Sequence, residues 1–150
     1  MEPSLHVERV DKLPLDLEQL IAQSLTESFR GVQRLSDDWR SGSNRFLLPG
    51  EALFVARLNR DLAGVCGLNR DPFADDAVAR LRHLYIAPAY RRRGVGRALV
   101  AAVLEHARSR FQCVRLRTDR ADADQFYLAL GFEKINETSQ HTHALSFVAR

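Results

Sequence analysis

Lysine is almost missing from this chain: of 22 cationic side chains, 20 are arginine and only Lys12 and Lys134 are lysine. A planar guanidinium suits two-point contact with phosphate or carboxylate. An arginine-rich genome would raise the count with no function attached, but it would not decide where the arginines sit. Cysteine is equally scarce. Cys66 and Cys113 lie far apart, each in an apolar run, with no C-x-x-C pair. That excludes a disulfide framework and a zinc spacing, and the two read as buried, reduced thiols of a cytoplasmic protein. No run of 18 apolar residues occurs, so no transmembrane helix is expected. The first residues lack a basic stretch leading into an apolar one, so no secretory leader is expected. There is no repeat, low-complexity segment or linker.

What remains is ordinary in amount. The chain has 150 residues, 45% hydrophobic and 27% charged. That fits one globular domain over residues 1–150. Leu5–Val10 alternates apolar and polar and predicts a strand. Asp16–Arg30 carries Leu17, Leu20, Ile21, Leu25 and Phe29 at helical spacing, with Gly31 as its stop. Val32–Arg40 predicts a second short helix. Glu51–Leu58 and Leu62–Leu68, joined by Asn59–Asp61, predict a hairpin. Asp71–Asp76 is a loop by composition, and Val78–Ala87 is a strand stopped by Pro88. Gly94–Arg110 is the clearest helix, with Val95, Ala98, Leu99, Ala102, Val103 and His106 on one face. Cys113–Thr118 predicts a strand, Ala121–Leu130 a helix, and Phe132–Glu137 and His143–Val148 closing strands. The order implies a mixed α/β domain on one central sheet. Its strand–helix–strand unit, residues 78–118, should be parallel and right-handed.

The informative stretch is "LRHLYIAPAYRRRGVGRALVAAVLEHA", Leu81–Ala107. A strand ends, an arginine-rich turn follows, and Gly94 and Gly96 open a helix. The first turn of a helix has unpaired N–H groups and a partial positive charge. Glycines there let a phosphate approach the backbone. Arg91, Arg92, Arg93 and Arg97 add charge at the same point. The pattern is an anion site suited to a diphosphate. It is not the dinucleotide fingerprint, whose third glycine is Leu99 here, nor a P-loop. It is R-x-x-G-x-G, from Arg91 to Gly96.

"LYIAPAYRRRGVGRAL" resembles the acetyl-CoA-binding motif of the GNAT superfamily of N-acetyltransferases. "ADQFYLALGFEKI", Ala123–Ile135, resembles the same superfamily's C-terminal motif. The resemblance covers residues 50–148 well, and 1–49 only through the order of elements. It implies the GNAT acyl-CoA N-acyltransferase fold: a central, mostly antiparallel sheet with one splayed parallel strand pair, flanked by helices. It implies that the pantetheine arm of acetyl-CoA lies in the splay and pairs with the backbone of Leu84, Tyr85 and Ile86. The pyrophosphate would rest on the amides from Arg92 through Arg93, Gly94, Val95, Gly96 and Arg97 to Ala98. The amide of Ile86 would hold the oxyanion. Tyr127 matches the residue that protonates the leaving thiolate; by itself it also reads as a core aromatic beside Phe126 and Phe132. The implied reaction is acetyl transfer to a primary amine by direct attack in a ternary complex. No metal is required, and neither nucleic acid nor membrane is a partner. A homodimer is compatible with it.

Two positions depart from the pattern. Arg120 stands where the C-terminal motif often has Asn, and it could reach a CoA phosphate or lie solvated. Arg80 stands where many members have the Glu that serves as general base, and it cannot accept a proton. His83, His141 and His143 are alternatives by titration range or position. Asp37, Asp38 and Trp39 could meet a cationic amine, or "SDDW" could cap a helix. Phe73 could line the pocket or anchor its loop. An acyl-CoA sensor without catalysis and an arginine-rich nucleic-acid module are the competing readings.

Charge placement separates them. Residues 80–120 hold 11 arginines against Glu105 and Asp119, a net of +9. The other residues hold 11 cations and 17 acids, a net of −6, so the overall +3 conceals one cationic segment. That favours a local phosphate site over general basicity.

Overall fold

Two apolar stretches form the centre of a sheet in a computed structural model that describes residues 4–135 and 140–147. They are β2 (Ala52–Leu58) and β3 (Asp61–Arg70), the predicted hairpin. Asn59, at φ +61°, takes the left-handed position between them, which asparagine tolerates better than most residues. Both strands are buried on both faces, which is why they read as apolar runs rather than as alternation. The edge strand β1 (Leu5–Val10) is mostly exposed, with Val7 and Val10 half-buried on opposite faces.

The remaining elements are α1 (Leu17–Thr26), α2 (Gly31–Ser41), β4 (Val78–Ile86), α3 (Val95–Arg108), β5 (Cys113–Leu116), α4 (Ala121–Ala129), β6 (Glu133–Lys134) and β7 (His143–Ser146). The described strands make one seven-stranded sheet in the order β1-β2-β3-β4-β5-β7-β6. All pairs are antiparallel except β4 with β5. This is the expected mixed sheet with one parallel pair.

Period-two alternation divides the side chains between two cores. Ala52, Phe54 and Ala56 face α3, where Val95, Leu99, Val100 and Val103 are buried. Leu53 and Val55 face α1 and α2, against Leu20, Ile21, Val32 and Leu35. Each such fully buried leucine contributes about 2 kcal/mol.

Two features of this frame position the site. First, β4 carries a bulge. Val65 pairs with Tyr85 and Gly67 with Arg82, so Cys66 alone faces both His83 and Leu84. His83 sits at φ +64°, as a bulged strand allows at the extra residue. Second, β4 and β5 pair only from Val78↔Cys113 to Arg80↔Arg115. Beyond that β4 runs on to Ile86 without a partner on this side. The carbonyl of Leu116 turns instead to the amide of Thr142, 2.9 Å away.

Several boundaries differ from the sequence reading. Helix α1 stops at Thr26, not Arg30, and Gly31 begins α2 rather than ending α1. The stop is Ser28, at φ +60°. The amides of Ser28 and Phe29 bond back to the carbonyls of Leu25 and Ser24, the pattern that satisfies the last carbonyls of a helix. Gly31 is needed for space, since a Cβ there would sit 2.7 Å from the Phe29 ring. "SDDW" lies inside α2 and caps nothing; Ser36 is buried mid-helix. Cys113 is half-buried, while Cys66 is fully buried; both are free thiols. The closing strands are shorter than predicted: β6 spans only Glu133–Lys134 and β7 ends at Ser146. Positions 136–137 and 148 of those predicted strands lie outside the described residues.

Candidate active site

The bulge leaves one backbone edge of β4 facing the splay. Ala87 donates its amide to the carbonyl of Ala63 at 2.8 Å, so 63 and 87 are a hydrogen-bonded pair. In an antiparallel ladder such pairs alternate. Tyr85 therefore bonds toward Val65, while the N–H and C=O of Ile86 point away from β3 into the gap. The Ile86 carbonyl accepts a bond from Arg91 Nε at 3.1 Å. Of the three residues expected to offer backbone to an added strand, Leu84 and Ile86 lie around the open edge and Tyr85 faces the other way. The Tyr85 ring is buried in the α1–α2 core and stacks on Phe29 at 5.1 Å.

The next segment makes the anion turn. Arg92 and Gly94 both have positive φ, +65° and +79°. A glycine is required at the second because it caps α3 in the left-handed region. Amides 92–97 have no protein acceptor among the described residues. Ala98 donates to Gly94 O at 3.0 Å, which removes Ala98 from the expected set of free donors. Val95 is buried in the α3 core, so only its amide can serve a ligand. Gly96 faces Phe126, whose ring a Cβ would approach to 3.4 Å.

Arg91 is unlike its neighbours. Its guanidinium is held by both oxygens of Glu27, at 2.8 and 2.6 Å, and lies 5.6 Å from the Tyr85 ring centre. The Tyr85 hydroxyl also donates to Glu27. These two donors, Arg91 foremost, hold the Glu27 carboxyl down at about 2. Arg92, Arg93 and Arg97 are exposed and have no such partner among the described residues.

Two clefts meet at this edge. One, of about 450 Å³, is lined by Leu84, Ile86, Arg91, Arg92, Gly96 and Phe126. The other, of about 320 Å³, runs along the gap past His83, Leu84, Thr118 and Tyr127. Phe29, Leu84, Arg120, Ala123 and Phe126 belong to both. Arg120, an exposed side chain bonded to Asp122 at 3.0 Å, thus stands where they join. Tyr127 is 6% exposed and packs edge-on against Phe126 and Phe132. Burial pushes its phenol well above the usual range. Its hydroxyl has no protein partner among the described residues.

Arg80, at the usual base position, and the histidines offered in place of a base are placed less favourably. Arg80 donates to Gln140 O at 2.9 Å and lies 5.6 Å from the Phe73 ring centre, which ties down that loop. His83 faces α2, opposite Leu84 and Ile86. Burial, helped by Arg82, Arg34 and Arg80, lowers it to about 3, so it is a weak base. His141 is bonded to the buried Asp71 at 2.6 Å. His143, 1% exposed, bridges Asp124 at 2.6 Å and Thr142 at 2.8 Å. Asp37 accepts from Gln33, and Trp39 packs on Phe46, both away from the gap. Among the described residues no cluster of His, Cys, Asp and Glu could hold a metal ion.

A family model described as the acetyltransferase (GNAT) family matches residues 18–132. The chain belongs to the GNAT family. It is 30% identical over 101 residues to the N-alpha-acetyltransferase RimI of Mycobacterium tuberculosis, covering 66% of this chain and 64% of that one. It spans less than two thirds of the length of the curated relatives it matches. A provisionally assigned acetyltransferase from Exiguobacterium sp. 255-15 superposes with a TM-score of 0.85, at 29% identity over 95% of this chain and 93% of the other. The GNAT family N-acetyltransferase YhbS of Escherichia coli, solved in complex with CoA, shares the fold with a TM-score of 0.69, at 18% identity over 99% and 85% of the two chains. Glu27, Phe29, Arg34, Arg82 and Arg117 are the cleft neighbours that sequence reasoning missed. None lies in either family motif, though Arg82 falls just before the first, and Glu27 meets Arg91 across 64 positions of chain.

Proposed function

We propose that the chain transfers acetyl from acetyl-CoA to a primary amine, by direct attack of the amine on the thioester. The observation that carries this reading is a continuous line of unpaired donors. It runs from amides 92–97, along the gap-facing edge of Leu84 and Ile86, to the Tyr127 hydroxyl, which has no partner among the described residues. The diphosphate of acetyl-CoA fits the first part, where Arg92, Arg93 and Arg97 supply positive charge. The pantetheine amides fit the second, as an added strand. The Ile86 N–H then meets the thioester oxygen as negative charge builds there, a donor fixed in advance by the ladder. Tyr127 meets the sulfur. Burial keeps its phenol protonated, so it donates a hydrogen bond to the departing thiolate and passes its proton as the bond breaks. The neutral pantetheine passes Phe126 and Leu84, which exclude water from the arm.

A sensor that binds the thioester without turnover is the second reading, favoured by Arg80 where a base is usual. Thiol release from acetyl-CoA with a panel of amines tests both. Release that depends on amine and falls in Tyr127→Phe supports the enzyme. Binding of acetyl-CoA with no release under any amine supports the sensor.

A further inference from the structure

Among the described residues the cleft beyond the thioester position is lined by five arginines and by no carboxylate: Arg34 from α2, Arg80 and Arg82 from β4, and Arg117 and Arg120 from the segment after β5. The pantetheine arm that would precede them is uncharged, and the diphosphate would sit at the other end, at the start of α3. CoA therefore offers these side chains nothing to bind, except Arg120 at the junction. Three already have protein partners: Arg80 on the Gln140 carbonyl, Arg117 on Asp119 and Arg120 on Asp122. Arg34 and Arg82 have no carboxylate or carbonyl partner among the described residues, yet both act on His83 from close by. In the same lining, His83 Nε2 is buried without a hydrogen-bond partner among the described residues. A buried polar atom in that state costs stability until something meets it.

Resting on the acetyltransferase reading, we propose that the acceptor is a small amine that also carries a carboxylate, held by Arg34 and Arg82 with the His83 ring beside them. Guanidinium forks bind carboxylates at two points, which orients as well as attracts. The lining repels a polyamine or an aminoglycoside for the same reason. The cluster also disfavours the protonated form of any amine placed within it, as like charges do. It thereby supplies a neutral nucleophile where, among the described residues, no carboxylate base stands. The step balances: one ammonium proton leaves to solvent before attack, the neutral nitrogen bonds to the acyl carbon, the carbon–sulfur bond breaks with the Tyr127 proton passing to the thiolate, and the second nitrogen proton leaves as the amide forms and restores the Tyr127 phenol.

Calorimetry with CoA saturating tests this on product analogues of opposite charge. N-acetylglutamate should bind about tenfold or more tighter than N-acetylcadaverine, and the preference should shrink as salt is raised. Arg82→Gln and Arg34→Gln should each weaken N-acetylglutamate about tenfold while leaving acetyl-CoA affinity unchanged, which also certifies the fold. Arg82→Lys should recover part of the loss. Equal or tighter binding of the cation, or no binding of N-acetylglutamate, overturns the inference. The acetyl-CoA titration separates the two levels: if acetyl-CoA itself does not bind, the acetyltransferase reading falls first.

Discussion

The two ends of the cleft are both cationic, but they are built in opposite ways. The end at α3 is contiguous: six free amides and its arginines come from Arg91–Arg97. Its positive charge is set by chain direction and by two residues with positive φ. The far end is collected from α2, β4, the segment after β5 and α4, short stretches that lie far apart in sequence. The contiguous end offers backbone donors, so a ligand held there would tolerate side-chain change but not backbone crowding. The collected end offers side chains, so each can be altered without disturbing the turn.

That contrast can be broken most sharply at Gly96. Gly96→Trp would place an indole between the turn and Phe126, and acetyl-CoA affinity should fall about a thousandfold or more, roughly 4 kcal/mol. Calorimetry on a variant with unchanged circular dichroism reads it, and retained affinity would move the diphosphate elsewhere. Next is Tyr127→Phe, which keeps the buried ring and removes the donor. Its kcat should drop about a hundredfold with little change in acetyl-CoA affinity, and an unaltered kcat removes Tyr127 from the chemistry.

A smaller effect distinguishes the ends by pH. The His83 imidazole titrates at 6.5 in its ordinary state and at about 3 in the fold. The unfolded chain therefore binds the proton first. Stability is complete above pH 6.5 and falls as pH drops toward 3, by up to about 1.4 kcal/mol per pH unit. Denaturant unfolding at a series of pH values should show this slope, and His83→Asn, which tolerates positive φ, should remove it. The smallest effect belongs to the Glu27–Arg91 pair. Its carboxyl is lowered from 4.5 to about 2, so its contribution is present above pH 4.5 and is lost as pH falls to about 2. The pair is 35–44% exposed, so Glu27→Gln should cost less than about 1 kcal/mol. A larger loss would mean the pair holds the α1 corner in place.

The same contrast decides what could be read from sequence. Arg91–Gly96 announces itself because glycine spacing and helix start are local. The two-faced burial of β2 and β3 was equally legible as apolar runs. The α1–α2 corner was not, because Ser28 takes the left-handed position where a glycine would signal it and Gly31 serves the Phe29 ring instead. Nor could Glu27 be singled out: an acid at a helix end is ordinary until the fold sets it against Arg91 and Tyr85. Arg82 and Arg34 looked like two more arginines in an arginine-rich chain. Only the fold brings them to one side of the sheet, and the bulge that follows Arg82 is itself silent in sequence, because His83 replaces no expected residue.

That bulge makes β4 behave like text with a reading frame. Up to Arg82, even-numbered residues face α1 and α2; from Leu84 onward the odd-numbered ones do. A one-residue deletion at His83 would leave every downstream letter intact and still scramble the message. Tyr85 would turn into the α3 core, and Leu84 and Ile86 onto the arginine side. In this strand length is specified as strictly as identity, and a homologue with one residue more or fewer here should be expected to have a different site, however well its motifs align.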